Sequence, residues 1–199
     1  MIKSKLSLLF ASLFFISCLN FAHSQIQEGN IMWGGSFTNM DFGLKKGQSW
    51  NIGITPKAGY FIKNNLAVGG YGKVNISKQG TGSTTKTEYG VGAFGRYYAS
   101  NKDINNLLKH GRFFLEANAG FEGSSQKHEP TTNGFGFGFG PGYSYFITSN
   151  VGLEALVKYE GLTGGGNTGY QHDITFAIGL QVYIPSSRVK NAVQNPNQL

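Results

Sequence analysis

The chain predicts an all-β fold, an eight-stranded antiparallel up-and-down transmembrane β-barrel, and three observations carry that expectation. The composition is one. Glycine occurs 30 times and aromatics make up 14% of residues while charged residues reach only 14%, a balance far from that of a leucine-rich, highly charged helical protein. The second is periodicity: after the first two dozen residues no stretch sustains a helical repeat, and segment after segment alternates apolar with small or polar at period two. Third, the connections between segments alternate between short and long, as they do in barrels with turns at one end and loops at the other.

Eight segments can be placed, at about 30–42, 50–61, 66–78, 88–99, 111–123, 133–146, 151–161 and 170–184. The first carries Ile31, Trp33 and Phe37 in one phase, with Asp41 in that same phase at its end, where a headgroup zone would accept it. In the second and third the charges Lys57 and Lys73 share parity with small residues, and in the fourth Glu88 and Arg96 do. The fifth alternates most cleanly: Phe113, Leu115, Ala117, Ala119 and Phe121 oppose Arg112, Glu116, Asn118, Gly120 and Glu122. The sixth sets Phe135, Phe137, Phe139, Tyr143 and Tyr145 against glycines. Glu154, Lys158 and Glu160 share the small-residue face of the seventh, and the eighth runs Ile174, Phe176, Ile178, Leu180, Val182 and Ile184 opposite Asp173, Thr175 and Gln181. Charges that keep to one parity through seven segments imply paired strands between two very different environments. Ile62–Asn65 and Thr148–Asn150 read as tight turns; Gln79–Thr87, Ser124–Thr132 and Leu162–Gly169 read as long external loops rich in Gly, Ser and Thr. Ser100–His110 is long where a short turn is expected, with a helical turn around Ile104–Lys109.

The N-terminus has the three zones of a secretory signal: Lys3 and Lys5, an apolar run from Leu6 to about Cys18, and a polar exit at Asn20. Ala22 and Ser24 are small at the two positions a signal peptidase reads, so cleavage between Ser24 and Gln25 is expected. That gives a signal peptide over 1–24, a barrel over 25–184 and a short polar C-terminal tail over 185–199. An alternative takes Phe15-Ile16-Ser17-Cys18 as a lipoprotein signal with Cys18 lipidated. Cys18 is the sole cysteine, so cleavage after Ser24 leaves a mature chain with no thiol for a disulfide, a zinc site or a nucleophile. The formal charge of +7 is spread along the chain, which does not point to nucleic acid; basic loops at a membrane face suit lipid phosphates.

Alternation alone does not say which face of the barrel is apolar. A non-greasy face of glycine, alanine and serine with charges of both signs suits a narrow interior better than a water-facing exterior. Tyr60, Phe61, Tyr97, Tyr98, Phe113, Phe114, Tyr143, Tyr145 and Tyr183 gather at segment ends on the short-turn side, the placement of an interfacial aromatic girdle. The expected lumen charges are Lys57, Lys73, Arg96, Arg112, Glu116, Glu154 and Lys158, with Glu88, Glu122 and Glu160 on the same face. Opposite charges in a narrow bore would neutralise one another and close it; a gated pore is the alternative.

With this pattern, and with Gly179 inside the alternating last strand, the chain resembles the small eight-stranded outer-membrane β-barrel proteins, including the outer-membrane β-barrel domain family. The resemblance covers about residues 25–184 and rests on pattern rather than on a short motif. It departs at the end, where Pro185–Leu199 follows in place of a terminal aromatic residue. The resemblance implies a bacterial outer-membrane location, outer-membrane lipids as partners, the barrel-assembly machinery during biogenesis, and no cofactor.

The functional expectation is a structural, surface-binding or adhesion role rather than an enzyme. A small porin, a soluble ligand-binding barrel and a lipid-modifying or proteolytic membrane barrel are the alternatives. Gly90-Val-Gly92-Ala-Phe-Gly95 matches a dinucleotide fingerprint, yet the strand continues through Arg96 where that motif would open a helix. His128 and Glu129, with Ser124 and Ser125 nearby, lack a third group to orient the histidine, and His110 and His172 are too isolated for a metal site.

Overall fold

The computed structural model describes residues 26–42, 49–80, 84–99, 111–126, 131–164 and 171–185. They form β1 (Ile31–Phe42), β2 (Ser49–Lys63), β3 (Leu66–Gln79), β4 (Thr85–Tyr98), β5 (Gly111–Gln126), β6 (Thr132–Phe146), β7 (Val151–Thr163) and β8 (Gln171–Ile184). Each strand pairs antiparallel with its neighbours in sequence, and β1 pairs with β8 to close the barrel. Closure leaves no sheet edge, so every ladder has a partner.

Strand phase separates two surfaces. Trp33, Phe37, Val91, Leu115, Phe121, Phe176 and Ile178 stand outward and exposed, Phe121 by as much as 73%. Lys57, Arg96, Glu116 and Glu154 are buried inside, on the alternate positions. Lys78 is the exception among the charges of these segments, in phase with the outward Val74 and Ile76 at the long-loop end of β3.

Four details depart from the sequence reading. The strands at the long-loop end are longer than expected: Thr85-Lys86-Thr87 continue β4 by pairing with Lys78, Ser77 and Ile76, so the connection expected over Gln79–Thr87 shortens to 80–84. β5 likewise runs to Gln126, into the stretch Ser124–Thr132 that reads as a loop in the sequence. In β1 the register shifts between Thr38 and Asp41, three steps on β1 against two on β2, and position 41 pairs with Asn51 in the phase of Lys57. A bulge of this kind puts one extra residue in the strand and so changes the phase of the positions that follow it. Finally, Pro56 and Pro141 stand outward within strands, and pairing lapses at each on one side, between β2 and β3 and between β6 and β7. A residue without an N–H leaves that gap in a ladder.

The short-turn end is tightly built. Asn65 takes a left-handed φ of 67° in the β2–β3 turn, a conformation asparagine tolerates. The Thr148 hydroxyl accepts from the backbone N–H of Asn150 and Val151 in the β6–β7 turn. Residues 26–30 run beneath this end: Gly29 N–H donates to the Phe61 carbonyl, Asn65 N–H to the Ile26 carbonyl, and Ile26 packs against the buried cluster. The expected signal peptide, Ser24 and Gln25, the 100–110 connection with its helical turn, His110, His128, Glu129 and all of the tail after Pro185 lie outside the described residues.

Candidate functional site

The interior is the site, and its floor is aromatic. Phe61, Tyr98, Phe114, Phe146 and Tyr183 come from the short-turn ends of five strands and turn inward with Met32. Their rings are in contact: Phe61 lies 5.9 Å from Tyr98 and 6.3 Å from Tyr183, Tyr98 5.6 Å from Phe114, and Phe146 5.4 Å from Tyr183 between centroids. Such pairs contribute specific contacts beyond the area they bury.

Above the floor sits a buried ion-pair layer centred on Arg96. The register places Arg96 directly opposite Glu116 on β5, and Nη2 donates to Glu116 Oε2 at 2.6 Å. Glu154 approaches from β7, across the bore, accepting from Arg96 Nη1 at 2.7 Å. Glu116 also accepts from Lys57 on β2 at 2.9 Å. The remaining capacity of Glu154 is taken by the Ser144 hydroxyl at 2.7 Å and the Tyr183 hydroxyl at 2.9 Å. Arg96 Nη1 donates to Tyr98 as well, and its guanidinium stacks 4.0 Å from the Phe114 ring centroid. The layer is thus bonded into the aromatic floor. Paired, hydrogen-bonded and stacked, these charges satisfy the condition for burying ions at all.

A second layer lies nearer the long loops. Lys73 bridges Glu122 at 3.1 Å and Glu160 at 3.4 Å, and Lys158 bridges Glu160 at 2.9 Å and Asn118 at 2.9 Å. Thr175 donates to Glu160, and Asn118 to the Tyr71 hydroxyl. Nearer the rim, Glu88 accepts from Asn75 and pairs with Lys86.

Long charged side chains fit in so narrow a bore because glycine stands beside them. Lys57 is opposite Gly34, Glu116 opposite Gly140, Glu122 opposite Gly134, and Glu154 opposite Gly179. A Cβ on Gly140 would strike the Val157 carbonyl oxygen, and one on Gly142 the Phe114 ring. Both positions require the missing side chain.

The structure therefore brings together six of the seven lumen charges named from the sequence. Arg112 stands apart: it lies at the short-turn end, its guanidinium donates to the Gly111 carbonyl, and it has no acidic partner among the described residues. The reason is position, since it is the second residue of β5, four before Glu116, at the end of the strand away from both ion-pair layers. The nine aromatics expected in an interfacial girdle divide by phase. Tyr60, Tyr97, Phe113, Tyr143 and Tyr145 face outward, whereas Phe61, Tyr98, Phe114 and Tyr183 form the floor. Sequence reasoning missed that floor. The signal was present: Phe61 shares parity with Lys57, Tyr98 with Arg96, Phe114 with Glu116, and Tyr183 with Gln181.

No family model and no curated protein matches this chain by sequence. By structure it is similar to the crystal structure of Neisserial surface protein A (NspA), at 16% identity and a TM-score of 0.57, over 79% of this chain and 97% of that one. The fold is that of a small outer-membrane β-barrel. Looser likenesses extend to outer membrane protein OprG from Pseudomonas aeruginosa, at 10% identity and TM-score 0.48 over 81% and 99% of the two chains. Another is Ail, the attachment invasion locus protein of Yersinia pestis, at 16% identity and TM-score 0.45 over 79% and 100%.

Proposed function

We propose that this outer-membrane-type barrel resides in the bacterial outer membrane as a closed anchor that presents its long loops for surface binding or adhesion. The observation that carries the reading is the two-sided strand pattern combined with the filled interior. An outward apolar wall is suited to hydrocarbon, and the aromatic floor with its ion-pair layer occupies the bore at the end that in such barrels faces the periplasm. With transit through the bore opposed, the loops at the other end are the surface left for specificity.

The test is carried out on intact cells. Loops 43–48, 80–84, 127–131 and 164–170 are replaced one at a time by short Gly-Ser linkers, and attachment of the cells to host or abiotic surfaces is scored. Assembly is checked separately by the mobility difference between unboiled and boiled protein on a denaturing gel. The reading expects at least one replacement to abolish attachment with the mobility difference intact. Attachment unchanged by all four replacements would overturn it.

A further inference from the structure

A small enclosed cavity of about 20 Å³ lies between the two ion-pair layers. Lys57, Lys73 and Lys158 bound it from three strands, Ser36 and Thr55 add hydroxyls, and Glu160 is the one carboxylate on its wall among the described residues. Four cations (Lys57, Lys73, Arg96, Lys158) balance four carboxylates (Glu116, Glu122, Glu154, Glu160) across the two layers. Three of those cations line this cavity against one of those carboxylates, while Glu116 and Glu122, which pair with Lys57 and Lys73, lie outside its wall.

Donor counting points the same way. An ammonium carries three N–H donors. Lys57 has two oxygen partners, both on Glu116; Lys73 has one each on Glu122 and Glu160; Lys158 has one each on Glu160 and Asn118. Among the described residues this leaves one N–H of each ammonium without an acceptor. Meanwhile Glu160 Oε1 is engaged by Lys158, and its Oε2 by Lys73 and Thr175. The wall is rich in donors and its carboxylate is already occupied, a setting that favours an acceptor carrying negative charge.

We infer that this cavity is a binding site for one small monovalent anion of the halide class, held by the third N–H of Lys57, Lys73 and Lys158 with help from the Ser36 and Thr55 hydroxyls. Size sets the class, because the space suits an occupant about as large as a single water and is too small for phosphate, sulfate or a carboxylate. Access is from the long-loop end: the Lys73 and Lys158 side chains are 17% and 12% exposed, whereas that of Lys57 is 3% exposed. The anion would join the two ion-pair layers into one network. The site does not depend on what the loops bind.

The experiment uses the full chain purified from membranes in detergent. Its urea-unfolding midpoint is titrated with sodium bromide against sodium gluconate at constant ionic strength, and crystals grown in bromide are examined for anomalous scattering. The inference expects an anomalous peak among the three ammoniums and a midpoint that rises with bromide and saturates. Lys158→Met should raise the half-saturating bromide concentration at least tenfold, while Lys86→Met at the rim should leave it unchanged. Should Lys158→Met fail to fold, Thr55→Val, which keeps every charge, should still weaken the titration several-fold. A water rather than bromide in the cavity, a peak only at the rim, or a bromide titration indistinguishable from gluconate in the unmutated protein would each overturn the inference.

Discussion

Removing the Glu154 carboxylate leaves Arg96 with Glu116 as its one carboxylate among the described residues and takes that acceptor from the Ser144 and Tyr183 hydroxyls, all in a buried region. Glu154→Ala is therefore expected to destabilise the barrel by about 3–5 kcal/mol, the range for breaking one side of a buried pair. The double variant Arg96→Met/Glu154→Leu should cost clearly less than the sum of its single changes, because neither charge is then stranded. Denaturant unfolding in micelles measures this, and simple additivity would show that the two residues are not coupled. At this scale much of the interior is legible in the sequence, since parity alone puts Lys57, Lys73, Arg96, Glu116, Glu154 and Lys158 on one face. Which cation meets which acid is not, because Arg96 reaches Glu154 across the bore between strands that are not neighbours. Nearness to a strand end suggests an interfacial girdle for Tyr98 and Tyr183, but position along a strand does not decide which face a side chain takes. Their phase, shared with Arg96 and Gln181, gives their true side.

Strand existence and order follow directly from the period-two pattern, whereas the ends of β3, β4 and β5 and the bulge in β1 depend on cross-strand pairing that a single segment does not display. Thr85-Lys86-Thr87 look like loop residues until Ile76, Ser77 and Lys78 are set beside them. Glycines in the strands divide by what faces them, and this too is invisible in one dimension. An added Cβ at Gly140 would meet the Val157 backbone oxygen, while one at Gly95, on the outward face, would meet nothing within 4 Å. Gly140→Ala should therefore destabilise by about 1–3 kcal/mol through strain. Gly95→Ala should be neutral or stabilise by roughly 0.5–1 kcal/mol by reducing the freedom of the unfolded chain. The same unfolding assay compares them, and equal losses at the two positions would contradict the assigned faces. Ile178, outward on β8, tests the wall: Ile178→Arg should cost roughly 2–4 kcal/mol if it sits at mid-bilayer. Tolerance of that arginine in lipid vesicles would speak against a hydrocarbon-facing wall.

The described residues form an apolar wall, an aromatic floor at the short-turn end, two ion-pair layers, and a bore that becomes more exposed toward the long-loop end. The Lys57 side chain at 3% exposed and the Lys73 side chain at 17% mark that gradient. Sequence pattern is sufficient for the wall and for the sign and side of the charges. The floor is a property of closure, because five aromatics from five strands meet only once β8 pairs with β1. Closure of the bore is the central claim, and planar-bilayer recording of the purified protein tests it most directly. Arg96, Glu116, Glu154 and the rings beneath them should hold the membrane at baseline, with at most brief, rare openings. Steady nanosiemens-scale conductance in the unmutated protein would contradict a sealed interior and favour a porin.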